Sequence, residues 1–228
     1  MISVIMISYL GDYPGSRKNP EQKFLRAVDS FINQTIGSEN SELVIVSDGC
    51  ELTNRLYDKH YNSQSNIILI KQPKARSGIF PGSYRQVGIN QAKFNYITYL
   101  DSDDFLMEYR LERAYNKIKD SDRVIVLDNV YNIPDVRDSY GNIKFGRFIE
   151  EIKINDKTFI KVKVNWISST FQMIHNKETG VYWKDGPRGE DFIFADSLYR
   201  KHKINPKNIG EEIGGYVVCH HPKYGFDI

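Results

Sequence analysis

Four short apolar runs, each closed by polar residues and each separated from the next by a helix-forming stretch, fill the first hundred residues. Ser3 to Ser8 is nearly continuous and apolar and ends at Tyr9-Leu10-Gly11, the pattern of a strand buried on both faces. From Glu21 the positions Phe24, Leu25, Val28, Phe31 and Ile32 fall at helical spacing, with Pro20 at the start and Gly37 beyond the end. Leu43 to Val46 predicts a second buried strand, closed by Ser47-Asp48-Gly49. Leu52 to Tyr61 predicts a helix and Asn66 to Ile70 a third strand. A Gly- and Pro-bearing loop from Gln72 to Gly82 leads into a helix with Val87, Ile89 and Ala92 on its inner face. Tyr96 to Leu100, the fourth strand, runs straight into Asp101-Ser102-Asp103-Asp104. This alternation predicts an α/β fold with a mostly parallel, doubly wound sheet. Right-handed crossovers then bring the strand-end residues Ser8-Tyr9, Asp48 and Asp101 to Asp104 to one edge, where such sheets bind ligands.

Beyond Asp104 the pattern predicts a helix over Leu106 to Lys119 and a strand over Val124 to Leu127. Turns such as Tyr140-Gly141-Asn142 separate short β-like segments from Asn132 to Lys163. A strand within Ile167 to Ile174, a helix over Asp191 to Lys201 and a closing strand over Tyr216 to Cys219 follow. Composition is even along the chain and no repeat interrupts it, so residues 1–228 are expected to form a single domain.

Thirty-one Lys and Arg against 29 Asp and Glu leave a formal charge of +2, which excludes a polybasic nucleic-acid binder acting by bulk electrostatics. The 40% hydrophobic and 26% charged content is that of a chain able to bury a core, which excludes disorder as the main state. Met1 to Ser8 lacks a basic leader and is too short to cross a bilayer, so a cytoplasmic protein without an integral membrane segment is expected. Cys50 and Cys219 have no partners at metal-finger spacing. Aromatic residues reach 13%; core and strand packing outweighs a sugar pocket as the reading of that excess.

The sharpest chemical feature is Asp101-Ser102-Asp103-Asp104. Carboxylates crowded into one turn repel each other, and a divalent cation bound between them removes that cost. An Asp there can instead cap a helix, but three acids exceed what one cap uses. Asp48 is either a turn residue beside its Gly or an acceptor for a base N–H or a ribose hydroxyl. Glu190-Asp191 follows Asp185-Gly186-Pro187-Arg188-Gly189 and opens a helix. The pair either complements the helix dipole or, if the loop borders the cleft, supplies a general base in Asp191. His220-His221 after the last strand is either a metal-ligand candidate or an inert surface pair. Lys74 and Arg76 are more simply read as solvated loop residues than as contacts to a diphosphate or anionic acceptor.

Taken in order, these segments resemble family 2 glycosyltransferases, inverting enzymes of the GT-A fold. Ser3 to Tyr9 resembles the family's opening strand. Leu25, Ala27, Val28, Ser30, Phe31, Asn33, Gln34 and Thr35 resemble its first helix. Leu43 to Cys50 resembles the strand closing in Asp-Asp-Gly-Ser, and Ser83 to Ile89 the Ala-Arg-Asn-x-Gly-Ile helix. Tyr99 to Asp104 resembles the metal-binding motif and Glu190-Asp191 the later acid pair. Leu10, Ser47 and Gln86 depart from the family pattern at donor-contact positions, and the Lys74 to Pro81 loop is longer and more basic than the pattern.

The resemblance implies a single GT-A domain, with residues 1–104 as nucleotide-binding half and 105–228 as acceptor-side half. It implies that Ser8, Tyr9, Asp48, Arg85, Asp101 and Ser102 meet a nucleotide-sugar donor, a UDP-sugar by preference. Asp101 and Asp103, joined by His220 or His221, would hold Mn²⁺ or Mg²⁺. Asp191, with Glu190 beside it, would take the proton of a hydroxyl on a glycan or glycoconjugate acceptor. Weak peripheral membrane binding or homo-oligomer association stays open. Two other functions are compatible with the same frame: a nucleotidyltransferase forming sugar nucleotides, for which Gly11 to Gly15 is a poor phosphate loop, and a non-catalytic sugar- or partner-binding domain.

Overall fold

The computed structural model describes residues 1–12, 19–76, 81–119, 125–126, 130–132, 150–155, 158–165, 173–186, 190–203 and 215–218. Strand β1 (Ile2–Ser8) and strand β2 (Ser41–Asp48) are buried along almost their whole length, as their apolar runs require. Strand β3 (Ile67–Gln72) is mostly half-buried or exposed and forms an edge. Strand β4 (Tyr96–Tyr99) flanks β1 on the other side. All four run parallel, in the order β3-β2-β1-β4. The sheet continues through β10 (Ile174–Asn176), antiparallel to β4, and β6 (Ile125–Val126), antiparallel to β10.

The pleat of β1 sorts its side chains between two cores. Ile2, Val4 and Met6 pack with Phe24, Ala27, Val28 and Phe31 of helix α1 (Pro20–Ile32), Leu56 of α2 (Glu51–His60), and Leu111, Ala114 and Ile118 of α4 (Arg110–Ile118). Ile5 faces the other way, joining Val44 and Ile97. These pack with Ile89 of α3 (Gly82–Gln91) and with Phe194, Ala195 and Leu198 of α5 (Glu190–Lys201). A Cβ at Gly88 would stand 2.7 Å from the Ile5 side chain, so the missing side chain is what lets α3 lie directly on the sheet. Helix α1 opens at Pro20, whose absent N–H needs no acceptor there. Gln34, just past its end, donates to Ser30 and Met107 carbonyls and accepts from Leu111 N–H, which ties α1 to α4.

Several boundaries differ from the sequence reading. Phe105–Leu106 form a short strand, β5, and the helix expected from Leu106 begins at Arg110, because β5 pairs antiparallel with β11 (Tyr216–Val218). The closing strand thus joins a second sheet and not the central one. That sheet runs β5-β11-β7-β9-β8, with β7 at Val130–Asn132, β8 at Glu150–Asn155 and β9 at Thr158–Asn165. The strand expected within Ile167 to Ile174 is described only from Ile174, as β10. Of the face expected on α3, Ile89 and Ala92, just past the helix end, are buried and Val87 is half-buried; Gly82, Arg85 and Gly88 complete the buried side. The turn at Tyr140-Gly141-Asn142 lies outside the described residues.

Candidate active site

The parallel strands end where their polar closures predicted. After β4 the chain turns through Asp101 to Asp104, with Asp104 N–H donating to the Asp101 carbonyl at 3.1 Å. Tyr216 of β11 locks this turn from below. Its hydroxyl accepts from Asp101 N–H and donates to Asp104 Oδ2, each at 3.1 Å. Arg26 of α1 donates to the Asp103 carbonyl at 2.7 Å. Burial, with Asp104 and Asp101 nearby, pushes the Tyr216 hydroxyl well above the ordinary phenol range, so it stays a donor to Asp104.

Asp101, Asp103 and Asp104 each offer a carboxylate oxygen within 4.8 Å of the other two. An all-oxygen set of that span fits a hard divalent cation such as Mg²⁺ or Mn²⁺. Asp101 and Asp103 are the half-buried members; Asp104 is buried and already accepts the Tyr216 bond, so its first task is to hold the turn. Ser102 is half-buried between the two outer acids.

Arg85 connects this turn to α5. Its Nη1 lies 3.1 Å from Glu190 Oε1 and its Nη2 lies 3.7 Å from Asp101 Oδ1, and the Arg85 and Glu190 side chains are only 10% and 8% exposed. A guanidinium fork with five fixed donors suits two carboxylates on different elements. Asp191, the next residue, stands in the first turn of α5 and is half-buried. Segment 181–186 runs alongside α3: Asp185 Oδ1 accepts from Ser83 N–H at 2.8 Å, and Gln86 Oε1 accepts from Trp183 N–H at 3.1 Å.

Beneath Arg85 is a floor that the sequence reading did not single out. The guanidinium sits 4.8 Å from the Trp183 ring centroid, and the indole stacks on Phe194 of α5 at 4.3 Å and 11°. Trp183 Nε1–H donates to the Tyr99 hydroxyl at 2.9 Å, and that hydroxyl is 2.6 Å from His175 Nε2. His175 Nδ1 lies 2.7 Å from the Asn176 carbonyl, which can only accept. The proton is therefore on Nδ1, Nε2 accepts from Tyr99, and the direction of every bond in the chain is fixed. Burial pushes the His175 imidazole down to about 4, so it is neutral near pH 7.

Along the edge, Tyr9 and Asp48 lie together at the ends of β1 and β2. Lys74 Nζ is 3.0 Å from Asp48 Oδ2 and 3.0 Å from the Tyr9 ring centroid, while Ala75 N–H donates to Asp48 Oδ1 at 2.6 Å. Ser8 is wholly buried, with its Oγ 2.8 Å from Thr53 Oγ1, which joins β1 to α2. Of the departures from the family pattern, Ser47 bonds the Cys50 backbone inside the turn and Gln86 holds Trp183. His220 and His221 lie outside the described residues, as do residues 77–80 and 187–189.

The structure thus brings Asp101, Ser102, Asp103, Arg85 and Glu190 to one place, with Asp191 next to Glu190 on α5, and Tyr9, Asp48 and Lys74 to another along the same edge. Tyr216 and Trp183 were missed because an isolated aromatic reads as core. The only sequence signal for Trp183 was its place beside the Asp185-Gly186-Pro187 turn, and Tyr216 carried none.

Among the described residues no helix is long and apolar enough to cross a membrane. In fold, the chain is similar to S. aureus TarS in a crystal structure with UDP-GlcNAc. The TM-score is 0.68 at 19% identity, over 96% of this chain and 58% of that one. In sequence it is 29% identical over 200 residues to the minor teichoic acid biosynthesis protein GgaA of Bacillus subtilis, covering 81% of this chain and 42% of the relative. It is 28% identical over 127 residues to the glycosyltransferase GlyG of Streptococcus pneumoniae, covering 56% of this chain and 40% of GlyG. The chain spans less than two thirds of each of these relatives. The pattern of Glycosyl transferase family 2 matches residues 3–178, about three quarters of the chain, and with the GT-A architecture and the acidic strand-end turn in place, the chain belongs to that family.

Proposed function

We propose that the protein transfers a sugar, with inversion at the anomeric carbon, from a UDP-sugar to a hydroxyl group of a glycan or polyol-phosphate polymer. The observation that supports this reading is the Arg85 bridge, which links Glu190, the neighbour of Asp191 on α5, to the Asp101 to Asp104 turn at the sheet edge. The UDP-sugar preference rests on a fold neighbour that binds UDP-GlcNAc. The polymer acceptor rests on relatives such as the poly(ribitol-phosphate) β-glucosyltransferase of Bacillus spizizenii, 29% identical over 116 residues, 50% of this chain and 18% of that relative.

In this reading Tyr9 stacks on the base and Asp48 accepts a base N–H or a ribose hydroxyl. Asp101 and Asp103 hold Mn²⁺ or Mg²⁺. The bound cation would supply electrostatic stabilisation of the departing nucleoside diphosphate. Arg85 keeps Asp101 and Glu190 in fixed positions while the site is charged. Asp191 takes the acceptor O–H proton as that oxygen attacks the anomeric carbon and the bond to the β-phosphate oxygen breaks. The floor of Trp183 and Phe194 excludes water from one side of Arg85, which strengthens its ion pairs.

A panel of UDP-, GDP-, CMP- and dTDP-sugars, with and without Mn²⁺, tests the reading by nucleotide release in the presence of a poly(ribitol phosphate) acceptor. Metal-dependent UDP release is expected. Release of pyrophosphate from UTP and a sugar phosphate would instead identify a nucleotidyltransferase.

A further inference from the structure

We infer that Lys74 is a side-chain gate on the nucleoside subsite: its ammonium occupies both recognition surfaces, the Asp48 carboxylate and the Tyr9 ring face, and the incoming nucleoside displaces it. This rests on the assignment of Tyr9 and Asp48 to the nucleoside made above. Asp48 is nearly buried, its side chain 6% exposed, and one oxygen is already taken by Ala75 N–H, so Oδ2 is the acceptor that remains for a ligand. Lys74 Nζ sits 3.0 Å from that oxygen and 3.0 Å from the Tyr9 ring centroid, so one ammonium covers both groups.

The backbone beneath Lys74 is fixed, so only the side chain can open. Gly49 N–H donates to the Gln72 carbonyl at 2.9 Å, Ala75 N–H donates to Asp48, and the Tyr84 hydroxyl donates to the Pro73 carbonyl. Gly49 takes φ +58°, and a Cβ there would stand 2.5–2.7 Å from Lys74 N, Cα and Cβ, so the Asp48-Gly49 turn and the Lys74 backbone are in direct contact. The Lys74 side chain, by contrast, is 46% exposed and has solvent to swing into.

The gate competes with the ligand and therefore weakens binding. A part-exposed ion pair and a part-exposed cation–π contact together correspond to roughly 3- to 30-fold in an equilibrium constant. A lysine that simply contacts the nucleotide would have the opposite sign, since its removal would weaken binding.

Isothermal titration with uridine separates the two. Lys74→Ala, which keeps the Cβ packed on Gly49, is expected to bind uridine roughly 3- to 30-fold more tightly than the wild type, and Lys74→Arg to stay near the wild type. Unchanged, weaker or undetectable uridine binding by Lys74→Ala overturns the gate. Tyr9→Ala in the Lys74→Ala background tests the underlying assignment separately. Weaker uridine binding there upholds the nucleoside subsite even where Lys74→Ala binds no more tightly than the wild type, and binding that is unchanged by Tyr9→Ala, or undetectable in both variants, removes the subsite and the gate together.

Discussion

Lowering the pH from 7 to 5 should destabilise this protein through one buried imidazole. His175 is fully enclosed, between Tyr99, Phe194 and the Asn176 carbonyl, and burial pushes it from its ordinary value of 6.5 down to about 4. Between those values the unfolded chain binds a proton that the folded chain refuses, so stability rises with pH across that window. The contribution is fully present above pH 6.5 and is lost as pH falls through 4. The gap corresponds to about 3 kcal/mol in full, and linkage places about 2 kcal/mol of the loss between pH 7 and pH 5. Urea unfolding at pH 7, 6 and 5 would measure it. Because other groups titrate too, the quantity to follow is the stability of the wild type minus that of His175→Gln, which keeps polarity but cannot take up the proton. This difference should fall by about 2 kcal/mol from pH 7 to 5. A difference that does not change with pH would refute both the neutral tautomer and the bond directions deduced beneath Arg85.

Three further outcomes follow from the same geometry. Tyr99→Phe leaves Trp183 Nε1–H and His175 Nε2 buried without their partner, which should cost about 2–5 kcal/mol in urea unfolding. Glu190→Ala removes the better-placed partner of a nearly buried guanidinium; with Asp101 retained at 3.7 Å, a loss of about 3 kcal/mol is expected by the same assay. Asp103→Ala should abolish the Mn²⁺-dependent tightening of UDP binding while leaving uridine binding in place, read by calorimetry with and without the metal.

The parallel half of the fold was legible because it is written locally. β1, β2 and β4 are short apolar runs, α1 has helical spacing, and each boundary carries a Pro, a Gly or an acid. The second sheet was not legible, because its pairings are non-local. Phe105–Leu106 continue an apolar helix pattern just as well as they form a strand, and only the pairing with Tyr216 and Val217, more than a hundred residues away, decides the matter. The site divides in the same way. The acids of Asp101 to Asp104 and Glu190-Asp191 stand out because like charges crowded at element ends need an explanation. That Arg85 spans Asp101 and Glu190, 105 residues from itself in the second case, follows only from the folded sheet and helices. Lys74 was more simply read as a solvated loop residue; its place on Asp48 and Tyr9 depends on the Gly49 turn, which the sequence shows only as a glycine.

The central claim, that Asp191 is the base of an inverting transfer, is met most directly by comparing Asp191→Asn with the wild type. UDP binding and sugar transfer to poly(ribitol phosphate) would be measured on the same preparations. The account, which assigns Asp191 to the acceptor hydroxyl and not to the nucleotide, predicts nearly unchanged UDP affinity and a transfer rate lower by roughly 10²–10⁴. A variant that transfers sugar at the wild-type rate would contradict it.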